Sequence, residues 1–158
     1  MSEQPSNLDV KLARERSLEE EDQVLYEDQF CKLTNKELEI KRYHASIESK
    51  IVPLGEIKAV YYSQQSTLPG GQALNINDNG WSTLGKIWWA LDPLRQMFNS
   101  GKKYNVVIDN GDEWKKGFSV IDMNGFGYYL FELIPSSATF YDGLPNDPMS
   151  LDNPPLFH

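Results

Sequence analysis

The sequence predicts an α+β domain in which antiparallel strands come first and one C-terminal helix closes the fold. Three observations predict it. Segments between Val24 and Ile121 alternate apolar and polar residues with the period of two that half-buried strands show. Short polar turns, Thr34-Asn35-Lys36 and Asn110-Gly111 among them, separate these segments. A helical stripe, Phe126, Tyr129, Leu130, Leu133 and Ile134, follows the last of them.

Residues 1–23 read as an acidic, largely mobile leader. Within it Ser17 and Glu20 have capping-box spacing, which allows a short helix over 18–23, and Glu19-Glu20-Glu21-Asp22 suits a helix N-terminus; a solvated leader accounts for the same residues. Strand character begins at Val24. VLYEDQFCKLT runs to the turn at Thr34-Asn35-Lys36, and ELEIKRYH returns with Leu38 and Ile40 on one face and Glu37, Glu39 and Lys41 on the other, a β-hairpin. Residues 50–53 and 56–62 give two more strands around Leu54-Gly55; Pro53 has no N–H for a ladder, so it marks a strand end or an edge.

Residues 63–85 read as a loop, punctuated by Pro69-Gly70-Gly71 and Asn79-Gly80. A loop of that length in a compact domain is functional or mobile. Residues 86–91 form a short apolar patch, and Asp92-Pro93 begins a turn or single helical turn reaching Phe98. Strands over 104–108 and 113–121 then flank Asp109-Asn110-Gly111-Asp112, where Asn-Gly supplies the positive φ values of a type I′ turn. Gly117 interrupts the alternation and reads as a bulge. Asp122 or Asn124 caps the helix and Pro135 ends it. Residues 136–158 form an extended, acidic, proline-rich tail, so the domain proper is 24–135.

A chain of 158 residues, 40% hydrophobic and 12% aromatic, is one domain large enough for a real core. Its net charge of -8 is unevenly placed. Residues 1–28 carry nine acids and three bases, residues 136–158 carry three acids and no Lys or Arg, and the stretch between sums to +1. A near-neutral body between acidic flanks does not suit nucleic acid, which needs a basic surface, and argues against an anionic membrane as partner. Cys31 is the sole cysteine, no secretory h-region is present, and no apolar run reaches the roughly 20 residues of a spanning helix. The expected location is the cytoplasm, with access to the nucleus for so small a body; the protein is expected to be neither secreted nor transmembrane.

The order of these elements, carried by YEDQFCKLTNKELEIKRYH, KIVPLGEIKAV, IWWALDPLR and NVVIDNGDEW, resembles the pleckstrin-homology-like (PH-like) superfold, and more narrowly its small, uncharacterised bacterial and eukaryotic members. The resemblance covers roughly residues 24–135. It implies an antiparallel β-barrel or sandwich closed by the C-terminal helix, and it brings no functional residues with it. The 63–85 loop and both flanks depart from the pattern.

Residue chemistry narrows the function. No G-x-S-x-G, P-loop or G-x-G-x-x-G is present. A Cys31–His44 nucleophile pair would lack an orienting group, and Cys31 suits a core position better. Asn75-x-Asn77-x-Asn79-Gly80 has the outline of a calcium loop, but its first and twelfth positions are Asn75 and Lys86, not carboxylates. One Cys and two His cannot build a zinc site. No metal or cofactor is expected, and the protein reads as a non-enzyme.

Two surfaces remain. Trp81, Trp88 and Trp89 lie close together beside the long loop, and adjacent Trp88 and Trp89 cannot share a face of a strand; tryptophan of this kind favours protein interfaces. Lys41 and Arg42 are the core of the group that a phosphoinositide headgroup would need, diluted by Glu37 and Glu39. The best reading is a non-enzymatic binding or adaptor module with an unidentified protein partner at Trp81, Trp88 and Trp89. The alternatives are weak phosphoinositide or membrane-surface binding through Lys41 and Arg42, and a small-ligand or enzymatic role at the 63–85 loop.

Overall fold

The computed structural model describes residues 6–12, 23–44, 47–65, 77–82, 85–95 and 102–145, together with the backbone of 155–157. Residues 7–12 of the leader are helical. The helix considered over 18–23 and the reach of the Asp92-Pro93 turn to Phe98 lie outside the described residues, apart from residue 23 and residues 92–95.

Four strands, β1 (Val24–Glu27), β2 (Cys31–Thr34), β3 (Glu37–His44) and β4 (Glu48–Pro53), form an antiparallel meander in chain order. VLYEDQFCKLT is thus two strands rather than one. Asp28 breaks it: its Oδ1 accepts from the backbone N–H of Phe30 (2.7 Å) and Cys31 (3.0 Å), and its own N–H donates to the Cys31 carbonyl (2.9 Å). A short acidic side chain that bonds the backbone two residues on makes a turn without glycine or proline. In β3, Arg42 adopts φ of 54° and the register against β4 shifts between Ile40 and His44. The irregularity lets Ile40 and Tyr43, three residues apart, both be buried.

The remaining strands form a second sheet. A single 3₁₀ turn (Leu54–Glu56) leads from Pro53 to β5 (Ala59–Gln64), followed by β6 (Gly80–Ser82), β7 (Ile87–Trp89), β8 (Tyr104–Asp109) and β9 (Lys115–Val120). Helix α1 (Met123–Leu133) and strands β10 (Thr139–Asp142) and β11 (Pro155–Phe157) complete the order. The sheet runs β11-β10-β5-β8-β9-β7-β6. Two pairings are parallel, β10 with β5 and β7 with β9. Of the expected antiparallel barrel or sandwich, the closed barrel does not form and the pairing is not wholly antiparallel: the strands make two sheets, and no ladder among the described residues joins β4 to β5 across the 3₁₀ turn. The architecture remains strand-rich α+β with a helix near the C-terminus. The stretch 63–85 contains β6, and the stretch after Pro135 contributes β10 and β11.

The β8–β9 hairpin forms, but not on a two-residue turn. Ile108 pairs with Lys116, leaving the wider loop 110–114, and Gly111 has φ of 92° whereas Asn110 does not have positive φ. The Lys116 ammonium fills that loop, donating to Asn110 Oδ1 (3.0 Å), Asp112 Oδ2 (2.8 Å) and the Trp114 carbonyl (3.2 Å). Gly117 is not a bulge either, since the β8–β9 register is continuous through it. Its cause is packing: a Cβ there would stand 2.6 Å from Trp89 Cδ2.

Asp122 caps α1 by accepting from the Gly125 N–H (3.2 Å). Phe126, Leu130 and Ile134 from the expected stripe are buried, whereas Tyr129 stands on the open side. The main core joins both sheets and the helix: Leu33, Leu38, Ile40 and Val52 meet Val60, Val106, Ile108 and Phe118 over Phe126 and Leu130. Burying each such side chain stabilises the fold by about 1.5–3 kcal/mol. The strand period of two places Val107, between Val106 and Ile108, in a second cluster with Ile87, Trp89 and Leu144.

Candidate functional site

The tryptophans sit where β6 closes one edge of the seven-stranded sheet. Trp81 pairs with Trp88 across the β6–β7 hairpin. On β7, Ile87 and Trp89 point to the second cluster, and Trp88 points the other way, against the main core. Trp89 is fully buried, Trp88 is half-buried, and Trp81 is 63% exposed. The indole N–H of Trp88 donates to the Tyr43 carbonyl (2.8 Å), satisfying its polar edge and fixing the ring.

Trp81 links two further rings. Its centroid lies 6.2 Å from Trp88, edge-on at 86°, and 6.0 Å from Trp114, near parallel at 20°. Trp88 continues the chain to Tyr43 (6.2 Å) and His44 (6.0 Å), which contact each other at 4.7 Å. Five aromatic side chains from three separate stretches of sequence thus form one connected cluster, running from the exposed Trp81 to the buried Tyr43, with a cleft of about 300 Å³ beside it lined by Asn77, Asn79, Gly80, Trp81 and Trp88.

A buried polar cluster holds this edge in place. The Arg95 guanidinium lies 4.6 Å from the centroid of the Trp89 ring and donates to the carbonyls of Asn77 (2.5 Å) and Asp78 (3.1 Å), just before β6. Its Nη2 also reaches Ser119 Oγ (3.2 Å). Burial pushes Arg95 down to about 10, against the opposing pull of Asp92 and Asp78, so it stays charged at neutral pH. Asp92, 1% exposed, accepts from Lys103 Nζ (2.8 Å), Ser119 Oγ (2.5 Å) and Gln65 Nε2 (3.3 Å). Burial raises the Asp92 carboxyl, but the bonds from Lys103, Ser119 and the Leu94 N–H outweigh it and hold the group below its ordinary value.

The basic candidates do not converge on a free site. Lys41 donates to Glu27 (2.7 Å) and to the Asp28 carbonyl (2.9 Å), while Arg42 is exposed at the irregular step of β3. Cys31 faces the core and pairs with Ile40, four residues from the exposed His44; burial, then Asp28, pushes its thiol well above the ordinary value. Asn77 and Asn79 spend their amide groups on the turn, donating to the carbonyls of Trp81 (2.5 Å) and Trp89 (3.1 Å), and Asn75 lies outside the described residues. Among the described residues no three His, Cys, Asp or Glu side chains group as metal ligands. No described helix is long and apolar enough to cross a membrane.

Sequence reasoning did not find Trp114, Tyr43 or His44 as members of the aromatic cluster, nor the Asp92–Arg95–Lys103–Ser119–Gln65 cluster that holds this edge. Each joins through contacts between distant positions, and the local spacing of these residues carries no signal of them. No protein-family model, curated protein or solved structure matches the chain.

Proposed function

We propose that this protein is a non-enzymatic binding module, a variant of the PH-like arrangement, that docks a protein partner on the Trp114–Trp81–Trp88 surface. The observation that carries the reading is the 63% exposure of Trp81 between two other tryptophan rings. A single exposed apolar side chain is ordinary, but tryptophans grouped at a sheet edge match the anchors that dominate protein interfaces. The Arg95 clamp supports it further, because it holds the strand that presents Trp81 before any partner arrives, which lowers the ordering cost of binding. The meander of four strands followed by a second sheet and a helix supports the PH-like reading; the two parallel pairings depart from it. A catalytic role gains no support from Cys31, whose thiol is buried and hard to ionise.

The test is affinity purification from the native host with the full-length chain and with Trp81→Ala. Trp81 is exposed, so its removal is expected to leave the fold intact and to release the stoichiometric partner. Retention of the same partner at the same stoichiometry by Trp81→Ala would remove the basis for this docking surface.

A further inference from the structure

Helix α1 and the seven-stranded sheet line a half-open pocket of about 370 Å³ that shares no lining residue with the tryptophan surface. That volume suits a small molecule. Its walls are unusually aromatic: Tyr62 and Tyr104 from adjacent strands, with ring centroids 6.4 Å apart, face Tyr128 and Phe131 of the helix and Phe140 of β10. Glu132 lines the pocket from an exposed position, and its side chain makes no hydrogen bond or ion pair with another described residue. Among the described residues no Lys, Arg or His lines the pocket.

We propose that this pocket binds a methylated ammonium head group, such as that of a small quaternary amine. Aromatic faces attract a desolvated cation through their quadrupoles, and a carboxylate at the mouth supplies long-range attraction without requiring a hydrogen-bond donor on the ligand. A neutral apolar ligand would use the rings but not Glu132, and an anion would meet repulsion. Burial first, then the negative charge of Asp142, raises the Tyr62 hydroxyl above its ordinary value, so Tyr62 stays a neutral ring at neutral pH.

Gly127 supplies an independent observation. Glycine is disfavoured inside a helix, yet it occupies the fifth position of α1. Its φ is not positive, and a Cβ there would meet nothing closer than Met123 Cε at an ordinary 3.5 Å. Neither backbone geometry nor packing requires it. It does line the pocket, where a side chain would take up ligand space.

The inference is separate from the tryptophan surface and stands or falls without it. The probes are choline, benzyltrimethylammonium and 3,3-dimethylbutan-1-ol, the neutral isostere of choline, titrated into the full-length chain by calorimetry and by backbone amide shifts. Both cations are expected to move the Gly127 and Tyr128 amides, with choline binding about tenfold more tightly than the isostere. Glu132→Gln and Tyr128→Ala change exposed positions and should each weaken cation binding several-fold. Gly127→Leu should abolish it while leaving thermal stability unchanged or raised. Phosphatidylcholine vesicles form a second arm: co-sedimentation that free choline reverses assigns the head group to a lipid, and choline binding without co-sedimentation assigns it to a free molecule. Equal affinity for choline and its isostere, or no shift at the pocket with either cation at millimolar concentration, overturns the proposal.

Discussion

Asp92 is ionised inside the protein because four donors, Lys103 Nζ, Ser119 Oγ, Gln65 Nε2 and the Leu94 N–H, reach one carboxylate, and that makes it a sensitive residue. Replacing it with Asn leaves Lys103 Nζ without its carboxylate partner and the buried Arg95 guanidinium with Asp78 alone as counter-charge. The expected loss is about 3 kcal/mol or more, read as a lower urea midpoint at neutral pH. The pH dependence follows with a definite sign. A carboxyl whose folded pKa lies below its unfolded value contributes stability above the unfolded value, about 4, and loses it as pH falls through the folded one. Wild type should therefore lose more stability than Asp92→Asn between about pH 5 and pH 2. Equal acid sensitivity in the two proteins would show that Asp92 is not held ionised by the fold. Gly117 gives a second residue-scale prediction from pure sterics. A methyl at Gly117 would overlap the Trp89 ring, which is fully buried and cannot swing away. Gly117→Ala should cost about 1–3 kcal/mol and shift the tryptophan emission, whereas an alanine in a true bulge would leave the Trp89 environment unaltered.

At the scale of elements, the corner between β1 and β2 is coupled to the start of α1. Asp28 accepts from the Phe30 and Cys31 N–H groups within its own turn, and its Oδ2 accepts from the Tyr26 hydroxyl (2.6 Å) and the Ile121 N–H (2.9 Å). The Tyr26 oxygen in turn accepts from the Asp122 N–H (3.0 Å), and its ring meets Phe126 edge-on at 5.5 Å. Asp28→Ala should thus cost about 2 kcal/mol or more, against about 1 for removing the helix cap with Asp122→Ala. Hydrogen exchange separates the two: only the Asp28 variant should deprotect the Phe30, Cys31 and Ile121 amides together. Helix α1 was legible in the sequence because its cap, its stripe and Pro135 are local signals. The Asp28 turn was not, because it lacks glycine and proline and its stabilising partner lies 93 residues away at Ile121. The same reason hid the register of Gly117, whose meaning depends on a ring from β7, and the parallel strand β10, whose partner β5 lies far earlier in the chain. For the candidate site, the opposed faces of Trp88 and Trp89 follow from strand alternation, but the meeting of Trp81 with Trp114 depends on tertiary packing.

For the whole molecule, the decisive feature is that one core cluster takes side chains from both sheets, from α1 and from β10. The larger cluster is shared between the sheets, so unfolding followed by far-ultraviolet dichroism and by tryptophan fluorescence should give coincident transitions; two separated midpoints would mean that the sheets fold independently. The same feature sets where the chain can be shortened. Cutting at Pro135, the end of the helix, removes β10 from the side of β5 and takes with it Phe140, 3% exposed, and Leu144, 1% exposed. Losing a buried Phe side chain alone costs about 3–5 kcal/mol, and a domain of this kind has only about 5–15 kcal/mol in total. A chain ending at Pro135 is therefore expected to lose near-ultraviolet dichroism and to aggregate, whereas one ending at Pro145 keeps both side chains and should retain the signal. If the shorter chain were as stable as the longer one, β10 would be an appendage rather than part of the core.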